Sequence, residues 1–236
     1  MDFSRFQVLT FDCYGTLIDW ESGILGALRP LLAAHGKTLD DGALLALYSE
    51  LEPAIQQERY RPYREVLEAV VRALGSRLGF APTQAEVRSL PESLSGWLPF
   101  PDTVAALRAL QGRYRLGVIS NIDDDLFAHT ARHLEVPFDF LVTAQQAGSY
   151  KPSANNFRLA IGRIGLPVES LLHCAESLYH DVAPARALGL ATVWVNRHAG
   201  KTRAGATRKA DINPDLEVPD LKSLAALALA EPAESS

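Results

Sequence analysis

Six polar residues in this sequence have the types and the placement needed for chemistry. Each follows or flanks a short apolar run, where a charged or polar group is costly to bury without a task or a partner. They come from four separate segments of the chain: Asp12, Ser120 with Asn121, Lys151, and Glu176 with Asp181. The chemistry open to such a set is nucleophilic attack by a carboxylate, binding of an anion, or binding of a hard cation.

Asp12 opens the stretch "FDCYGTLIDW" and can act as a nucleophile, a metal ligand or a cap of the turn that follows it. Gly15 allows the chain to turn sharply. Thr16 can offer its hydroxyl and nearby backbone N–H groups to an anion. For this stretch alone, a capped turn is the default interpretation.

The other segments have equally plain structural explanations when each is taken alone. Lys151 can neutralise Asp12 and an anionic substrate, although an isolated lysine is more often a solvated surface residue. Ser120 and Asn121 can donate hydrogen bonds to a substrate oxygen or cap the next helix. Glu176 and Asp181, placed beside Asp12, would form an oxygen-rich site for Mg²⁺, but Asp181 alone can simply begin a helix.

The elements predicted around these residues bring them together. Apolar periodicity predicts strands alternating with single helices early and late in the chain, and helices alone in between. The predicted strands are 7–12, 114–121, 138–144, 170–177 and 191–197. This pattern indicates an α/β fold, a doubly wound parallel sheet with an inserted all-helical cap. The core is assigned to residues 1–17 and 98–236, and the helical insert to residues 18–97. Ligands bind at the carboxyl ends of such strands, so all four segments are expected at one sheet edge.

Composition limits the classes of partner. The chain has 236 residues and a net charge of −5, which gives no reason to expect nucleic acid or an anionic membrane as a partner. No secretory signal or membrane-spanning run is evident, and the two cysteines, Cys13 and Cys174, form no disulfide framework. We expect a cytoplasmic protein, a monomer or homodimer, with both cysteines buried as small apolar residues. The basic run from Arg197 to Lys209 is interpreted as a solvated loop that could also steer anionic substrates.

The ordered set "FDCYGTLID", the Ser120-Asn121 strand end, Lys151-Pro152 and "AESLYHDV" resembles the four motifs of the haloacid dehalogenase superfamily. The resemblance covers essentially the whole core, and the helical insert matches the family's cap in position. It implies that Asp12 is a nucleophile that forms a covalent ester, later hydrolysed by water. It also implies that Thr16, Ser120, Asn121 and Lys151 hold the anion and orient the nucleophile.

Tyr14 separates the two main activities of the superfamily. Phosphatases of this type carry a second aspartate two residues after the nucleophile as general acid and base. Tyrosine there resembles the 2-haloacid dehalogenases, whose halide leaving group needs no proton. Three features depart from that type: no clear arginine match early in the insert, where Arg59, Arg61 or Arg64 could substitute; Phe157 in place of a tyrosine; and Glu176 in place of a serine.

We therefore predict a hydrolase acting on a small anionic substrate, with dehalogenation of a small 2-halo carboxylic acid as the favoured activity. The alternatives are a Mg²⁺-dependent phosphatase and a catalytically silent binding protein on the same fold. Substrate contacts are expected from Tyr14, Trp20 and Tyr179. Dehalogenation would require no cofactor, whereas a metal at this edge would be held at Asp12, Tyr14, Glu176 and Asp181.

Overall fold

The computed structural model describes residues 1–200 and 210–230. Its strands are β1 (Val8–Phe11), β2 (Arg115–Ser120), β3 (Phe140–Thr143), β4 (Leu171–Ala175), β5 (Ala191–Val195) and β6 (Leu216–Val218). Its α-helices are α1 (Trp20–Ala34), α2 (Asp41–Glu58), α3 (Tyr63–Leu78), α4 (Gln84–Ser93), α5 (Thr103–Gln111), α6 (Asp124–Leu134), α7 (Ala144–Ala147), α8 (Ala154–Ile164), α9 (Ala183–Ala187) and α10 (Leu221–Leu229).

The six strands form one sheet in the order β3-β2-β1-β4-β5-β6, and every neighbouring pair is parallel. The predicted doubly wound parallel sheet is confirmed. The strand order reverses between β1 and β4, the point at which sheets of this kind bind their ligands. Phe11 is in register with Cys174 of β4 and with Val118 of β2. Asp12, the residue after Phe11, therefore lies at the centre of the carboxyl edge.

Successive residues of the central strands enter two different cores, as the alternation of side chains along a strand requires. On β1, Leu9 and Phe11 belong to the larger core, whereas Val8 belongs to the smaller one. Residues of α8 and α9 complete the smaller core. The larger core continues through α5 and α10 into the helices between β1 and α5. Both faces of the sheet are covered, which explains why its strands are apolar throughout.

The segment between β1 and α5 is helical, with α1 to α4 followed by a short 3₁₀ turn at Leu94–Gly96. These helices agree with the prediction of helices alone between the early and the late strands. Thr83 begins α4 with a capping box, in which its hydroxyl accepts from the Glu86 N–H and the Glu86 carboxylate accepts from the Thr83 N–H. Sequence spacing missed β6, whose three residues are too few to show an alternating pattern.

The helical segment is tied to the sheet edge by two loops, one after β2 and one after α7. Asp123 accepts hydrogen bonds from the N–H groups of Tyr63 and Arg64, at 2.8 and 3.0 Å, and so caps the first turn of α3. The Tyr150 hydroxyl donates to the carbonyl of Arg61 at 2.8 Å. These contacts hold α2 and α3 above the carboxyl edge of the sheet. None of the helices in the described part of the chain is both long and apolar enough to span a bilayer.

Candidate active site

Asp12 lies directly beyond β1, and its backbone N–H donates to the Cys174 carbonyl of β4 at 3.1 Å. Its side chain is buried, with Oδ1 2.8 Å from the Lys151 ammonium. The same ammonium donates to Asp181 Oδ1 at 2.6 Å and to the Ile119 carbonyl at 2.8 Å. The structure thus brings together Asp12, Lys151 and Asp181 from three distant parts of the sequence. The prediction that Lys151 neutralises Asp12 is confirmed, and the solvated-lysine alternative is wrong because this side chain is 2% exposed.

Thr16 connects the loop that follows β1 to the end of β4. Its hydroxyl donates to Asp12 Oδ2 at 2.8 Å and accepts from the Glu176 N–H at 2.8 Å. Gly15 makes the intervening turn, with a φ of +98°, which disfavours a side chain. A Cβ there would also lie 2.9 Å from Trp20 Nε1. With one oxygen held by Lys151 and the other by Thr16, the Asp12 carboxylate has a defined orientation.

Asp12, Lys151 and Asp181 shift one another's pKa. Burial raises the pKa of Asp12, and although Lys151 and Thr16 oppose that effect, the pKa stays above the ordinary aspartate value. Burial acts in the same direction on Asp181, but Lys151 and His173 outweigh it and lower its pKa. Burial disfavours the Lys151 ammonium, yet the two carboxylates outweigh burial and raise the pKa of Lys151. At neutral pH, Lys151 is therefore a fixed positive charge between two acids.

His173 extends this network below the site and was not predicted from the sequence as a functional residue. Its Nε2 is 3.0 Å from Asp181 Oδ1, and its Nδ1 is 2.9 Å from the Thr10 hydroxyl on β1. The ring is fully buried, with Phe157 packed edge-on against it. The sequence does contain a signal for this residue: a histidine in the middle of an apolar strand is a polar group that needs buried hydrogen-bond partners.

Ser120 and Asn121, at the end of β2, both line the cavity above Asp12 but have different surroundings. The Ser120 hydroxyl is buried and has no hydrogen-bond partner among residues 1–200 and 210–230. Asn121 binds the backbone of Lys151, accepting from its N–H at 2.7 Å and donating to its carbonyl at 3.1 Å. Asn121 does not cap α6, for which Asp123 is the N-cap residue. Asn121 thus positions the segment that contains Lys151.

Tyr14 lines the cavity with the body of its ring, but its hydroxyl points elsewhere. The phenol oxygen lies 2.7 Å from the Thr130 hydroxyl on α6, and the ring packs edge-on against Trp97. Burial raises the pKa of Tyr14 well above its ordinary value. The phenol is therefore neutral and turned away from Asp12, which makes it unsuited to act as a general base.

The remaining predicted substrate contacts divide between two adjoining cavities. Trp20 lines the cavity that contains Asp12 and packs edge-on against Tyr48. Tyr179 lines the neighbouring cavity instead, where its ring lies edge-on to that of His180. His180 borders both cavities. Tyr179 and His180 lie on the π-helical turn Leu178–Val182, whose backbone directs successive side chains differently from an α-helix.

None of the three arginines considered as substitutes for a halide-binding arginine lines the cavity that contains Asp12. Arg59 lines the neighbouring cavity. The Arg64 guanidinium is directed outward to Asp125, 2.7 Å away. Arg61 is fixed through its backbone by Tyr150. Among the described residues that line the cavity, Lys151 is the only lysine or arginine.

The interpretation of Arg197 as the start of a solvated loop is wrong. Its guanidinium donates to the Thr16 carbonyl, pairs with Asp102 at 2.7 Å, and lies over the Phe100 ring at 4.2 Å. Arg197 therefore supports the loop that follows β1 through residues that are distant in sequence. The rest of that basic run, from Lys201 to Lys209, lies outside the described residues.

A magnesium ion does not fit the site as it is arranged. The Lys151 ammonium lies between the carboxylates of Asp12 and Asp181, where it already neutralises both. Within residues 1–200 and 210–230, no group of three or more histidine, cysteine, aspartate or glutamate side chains is placed to hold a metal. Glu176, one of the expected metal ligands, lines the cavity together with Asp12 and Asp181.

Both cysteines are buried in the larger core, as expected. Burial raises the pKa of the Cys13 and Cys174 thiols. Since the thiolate is the reactive form, this environment suits apolar packing and disfavours nucleophilic chemistry.

Comparison with known proteins agrees with this architecture. The chain is 29% identical over 201 residues to haloacetate dehalogenase H-2 of Moraxella sp. (strain B), covering 82% of this chain and 87% of that protein. It is 26% identical over 240 residues to the Escherichia coli phosphatase YigB, which acts on 5-amino-6-(5-phospho-D-ribitylamino)uracil, covering 94% and 96%. A crystal structure of an L-2-haloacid dehalogenase superposes with a TM-score of 0.79 at 28% identity, covering 94% of this chain and 98% of the other. The sequence profile of the haloacid dehalogenase-like hydrolases matches residues 6–189, and the chain belongs to that family.

Proposed function

We propose that this hydrolase removes the halogen from a small 2-halo carboxylic acid by way of a covalent ester on Asp12. The observation that carries the proposal is the state of the Asp12 carboxylate, which is buried, oriented by Lys151 and Thr16, and located at the floor of a cavity. The Tyr14 hydroxyl, turned toward Thr130, supports a leaving group that needs no proton. The similarity to a haloacetate dehalogenase supports the same activity.

The proposed reaction has two steps. An oxygen of Asp12 attacks the carbon that bears the halogen, the carbon–halogen bond breaks with its electron pair, and halide leaves. Water then attacks the ester carbonyl of Asp12, which releases the 2-hydroxy acid and one proton and restores the carboxylate. Lys151 and Thr16 hold the attacking group in place throughout, which lowers the entropic part of the barrier.

The unpartnered Ser120 hydroxyl is the proposed anchor for the substrate carboxylate. It is 1% exposed and lines the same cavity as Asp12. A buried hydroxyl without a partner is uncommon, and a bound carboxylate would supply the missing acceptor. Lys151 offers a positive charge nearby. The helical insert, residues 18–97, would act as the cap that closes the cavity, because α2 and α3 supply its opposite wall.

A Mg²⁺-dependent phosphatase is the second candidate, and Glu176 favours it. This carboxylate lines the cavity with Asp12 and Asp181, so a rearrangement that moves Lys151 would leave three acids for a cation. The absence of an acidic side chain at position 14 weighs against it, because an alkoxide leaving group needs a proton.

The deciding experiment measures chloride release from 2-chloropropionate and phosphate release from p-nitrophenyl phosphate, each with Mg²⁺ and with EDTA. We expect chloride release in both conditions and none from Asp12→Asn. Mg²⁺-dependent phosphate release that is lost in Asp12→Asn would establish the phosphatase instead. Activity on neither substrate, or an Asp12→Asn variant as active as the parent, would refute Asp12-dependent catalysis and favour the binding-protein alternative.

A further inference from the structure

His173 is a buried polar residue that has no part in the two steps proposed above. It lies in the middle of β4, in register with Thr10 of β1 and with Thr192 of β5. All three side chains are buried, so a row of polar groups crosses three neighbouring strands on the side of the sheet that faces the smaller core. Polar groups are costly to bury there unless they have partners, and apolar packing alone does not account for the row.

Both nitrogens of the His173 ring have partners. Nε2 is 3.0 Å from Asp181 Oδ1, and Nδ1 is 2.9 Å from the Thr10 hydroxyl. Phe157 packs edge-on against the ring, with the two ring centroids 5.2 Å apart. The Asp181 carboxylate is ionised because its pKa is lowered, and an ionised carboxylate only accepts hydrogen bonds. Nε2 therefore carries a hydrogen and donates it to Asp181, and the ring is held in one orientation.

Asp181 Oδ1 is the atom through which this contact reaches the active site. The same oxygen accepts from the Lys151 ammonium at 2.6 Å. An ammonium has three hydrogens, and the acceptors for Lys151 are Asp181 Oδ1, Asp12 Oδ1 and the Ile119 carbonyl. The Ile119 carbonyl is fixed by the backbone of β2. The position of the ammonium relative to Asp12 therefore depends on where Asp181 is held.

We propose that His173 is a positioning residue for the reaction of Asp12. It holds Asp181 so that Asp181 fixes the Lys151 ammonium, and Lys151 in turn fixes the attacking oxygen. Small displacements of a reacting group lower the rate, so a residue beneath the site can affect catalysis without touching the substrate. This role rests on the proposed function in taking Asp12 as the attacking group. The rival role is purely structural, in which His173 only joins β1 to β4.

The test compares His173→Leu, which removes the donor, with His173→Gln, whose amide can still donate to Asp181. The matched control is Thr192→Val, because Thr192 is fully buried, in register with His173, and bonded through its hydroxyl to Asp215 at 3.1 Å. We expect His173→Leu and Thr192→Val both to unfold at lower urea concentration than wild type. Only His173→Leu should lower kcat for halide release, by about 10- to 100-fold and with a smaller change in KM, as for loss of a hydrogen bond to a charged group. His173→Gln should retain most of kcat.

A second measurement needs no substrate. A buried ammonium with three acceptors exchanges its hydrogens slowly with water, so ¹⁵N-lysine labelling should give a resolved ammonium signal for Lys151. Wild type, His173→Gln and Thr192→Val should show this signal, and His173→Leu should broaden or lose it. If His173→Leu does not fold, Thr10→Val supplies the test. It removes the partner of Nδ1 and should shift the Lys151 signal and lower kcat in the same direction.

Three results would overturn the positioning role: a folded His173→Leu protein with wild-type kcat and Lys151 signal, equal losses in His173→Leu and His173→Gln, or a wild-type protein without the slowly exchanging ammonium. The same losses in Thr192→Val would favour the structural role instead. Failure of the proposed function is distinguishable from these results. Loss of the Lys151 signal in His173→Leu, with no halide release by wild type from any 2-chloro acid, rejects dehalogenation alone. Halide release by wild type with unchanged kcat in His173→Leu rejects the positioning role alone.

Discussion

The Lys151 ammonium is 2.8 Å from Asp12 Oδ1 and 2.6 Å from Asp181 Oδ1, so a single buried cation serves two buried carboxylates. Asp12 follows β1 and Asp181 follows β4. Lys151 follows α7, the short helix after β3. The three groups meet only because the strands are parallel and their carboxyl ends share an edge. The arrangement couples the stability of this edge to the chemistry of Asp12.

Replacing Lys151 with methionine should damage both stability and activity. The substitution keeps the length of the side chain but leaves two buried acids uncompensated, which costs about 3–5 kcal/mol when one partner of a buried pair is removed. We expect the free energy of unfolding, measured in urea, to fall by about 3–5 kcal/mol. We also expect halide release to be lost. Lys222→Met, at an exposed position on α10, is the control and should change neither quantity. A stable, active Lys151→Met protein would show that the ammonium is not needed.

Replacing Thr16 with valine should lower kcat while leaving KM nearly unchanged. Valine removes the donor to Asp12 Oδ2 and the acceptor for the Glu176 N–H. Loss of a buried hydrogen-bond partner costs about 1–3 kcal/mol, so kcat should fall by roughly 5- to 150-fold if the cost falls on the transition state. Thr16→Ser keeps the hydroxyl and should retain most of the activity. Equal losses in the two variants would point to packing of the methyl group instead.

Replacing Tyr14 with phenylalanine should have a small effect on catalysis, because its hydroxyl faces Thr130 rather than Asp12. We expect halide release within about threefold of wild type and a loss of about 1 kcal/mol in stability from the broken hydrogen bond. Thr130→Val removes the other partner of the same hydrogen bond. The double variant should therefore lose less stability than the two single variants lose when their losses are added. A hundredfold loss of halide release in Tyr14→Phe would mean that the phenol takes part in the reaction.

The pH dependence of kcat/KM follows from the direction of two pKa shifts. Asp12 must be ionised to attack, and burial raises its pKa above the ordinary value of 3.8. Activity should therefore be lost on acidification at a pH above 3.8. Because the two acids raise the pKa of Lys151, no loss from its deprotonation is expected below its ordinary value of 10.5. Rates measured from about pH 4 to about pH 11 test both limbs, since kcat/KM reports the free enzyme. An alkaline loss centred near neutrality would require a different titrating group.

Much of the architecture could be predicted because it depends on patterns that persist along the chain. Apolar runs of strand length separated by single helices specify a parallel sheet, and a parallel sheet places its polar strand ends together. This is why Asp12, Lys151 and Asp181 could be expected at one edge without any distance information. The position of the helical segment between β1 and α5 followed from the same change in periodicity.

The directions of individual side chains could not be predicted in this way. They depend on loop backbone and on partners distant in sequence, as with Asn121, whose amide binds the backbone of Lys151. Tyr179 lies on a π-helical turn and lines the cavity next to the one that contains Asp12, which apolar spacing does not show. Arg197 looked like part of a solvated run, yet Asp102 and Thr16 bury it. Apolar periodicity carries no information on such contacts.

The role of Asp12 as a covalent nucleophile is tested most directly by a single turnover in H₂¹⁸O with enzyme in excess over 2-chloropropionate. If water attacks the ester carbonyl of Asp12, the first turnover leaves ¹⁸O in the Asp12 carboxylate and none in the hydroxy acid. Mass spectrometry should then find the peptide that contains Asp12 heavier by the difference between the two oxygen isotopes. An unlabelled peptide together with ¹⁸O in the product would show that water displaces the halide directly, and would contradict the covalent mechanism.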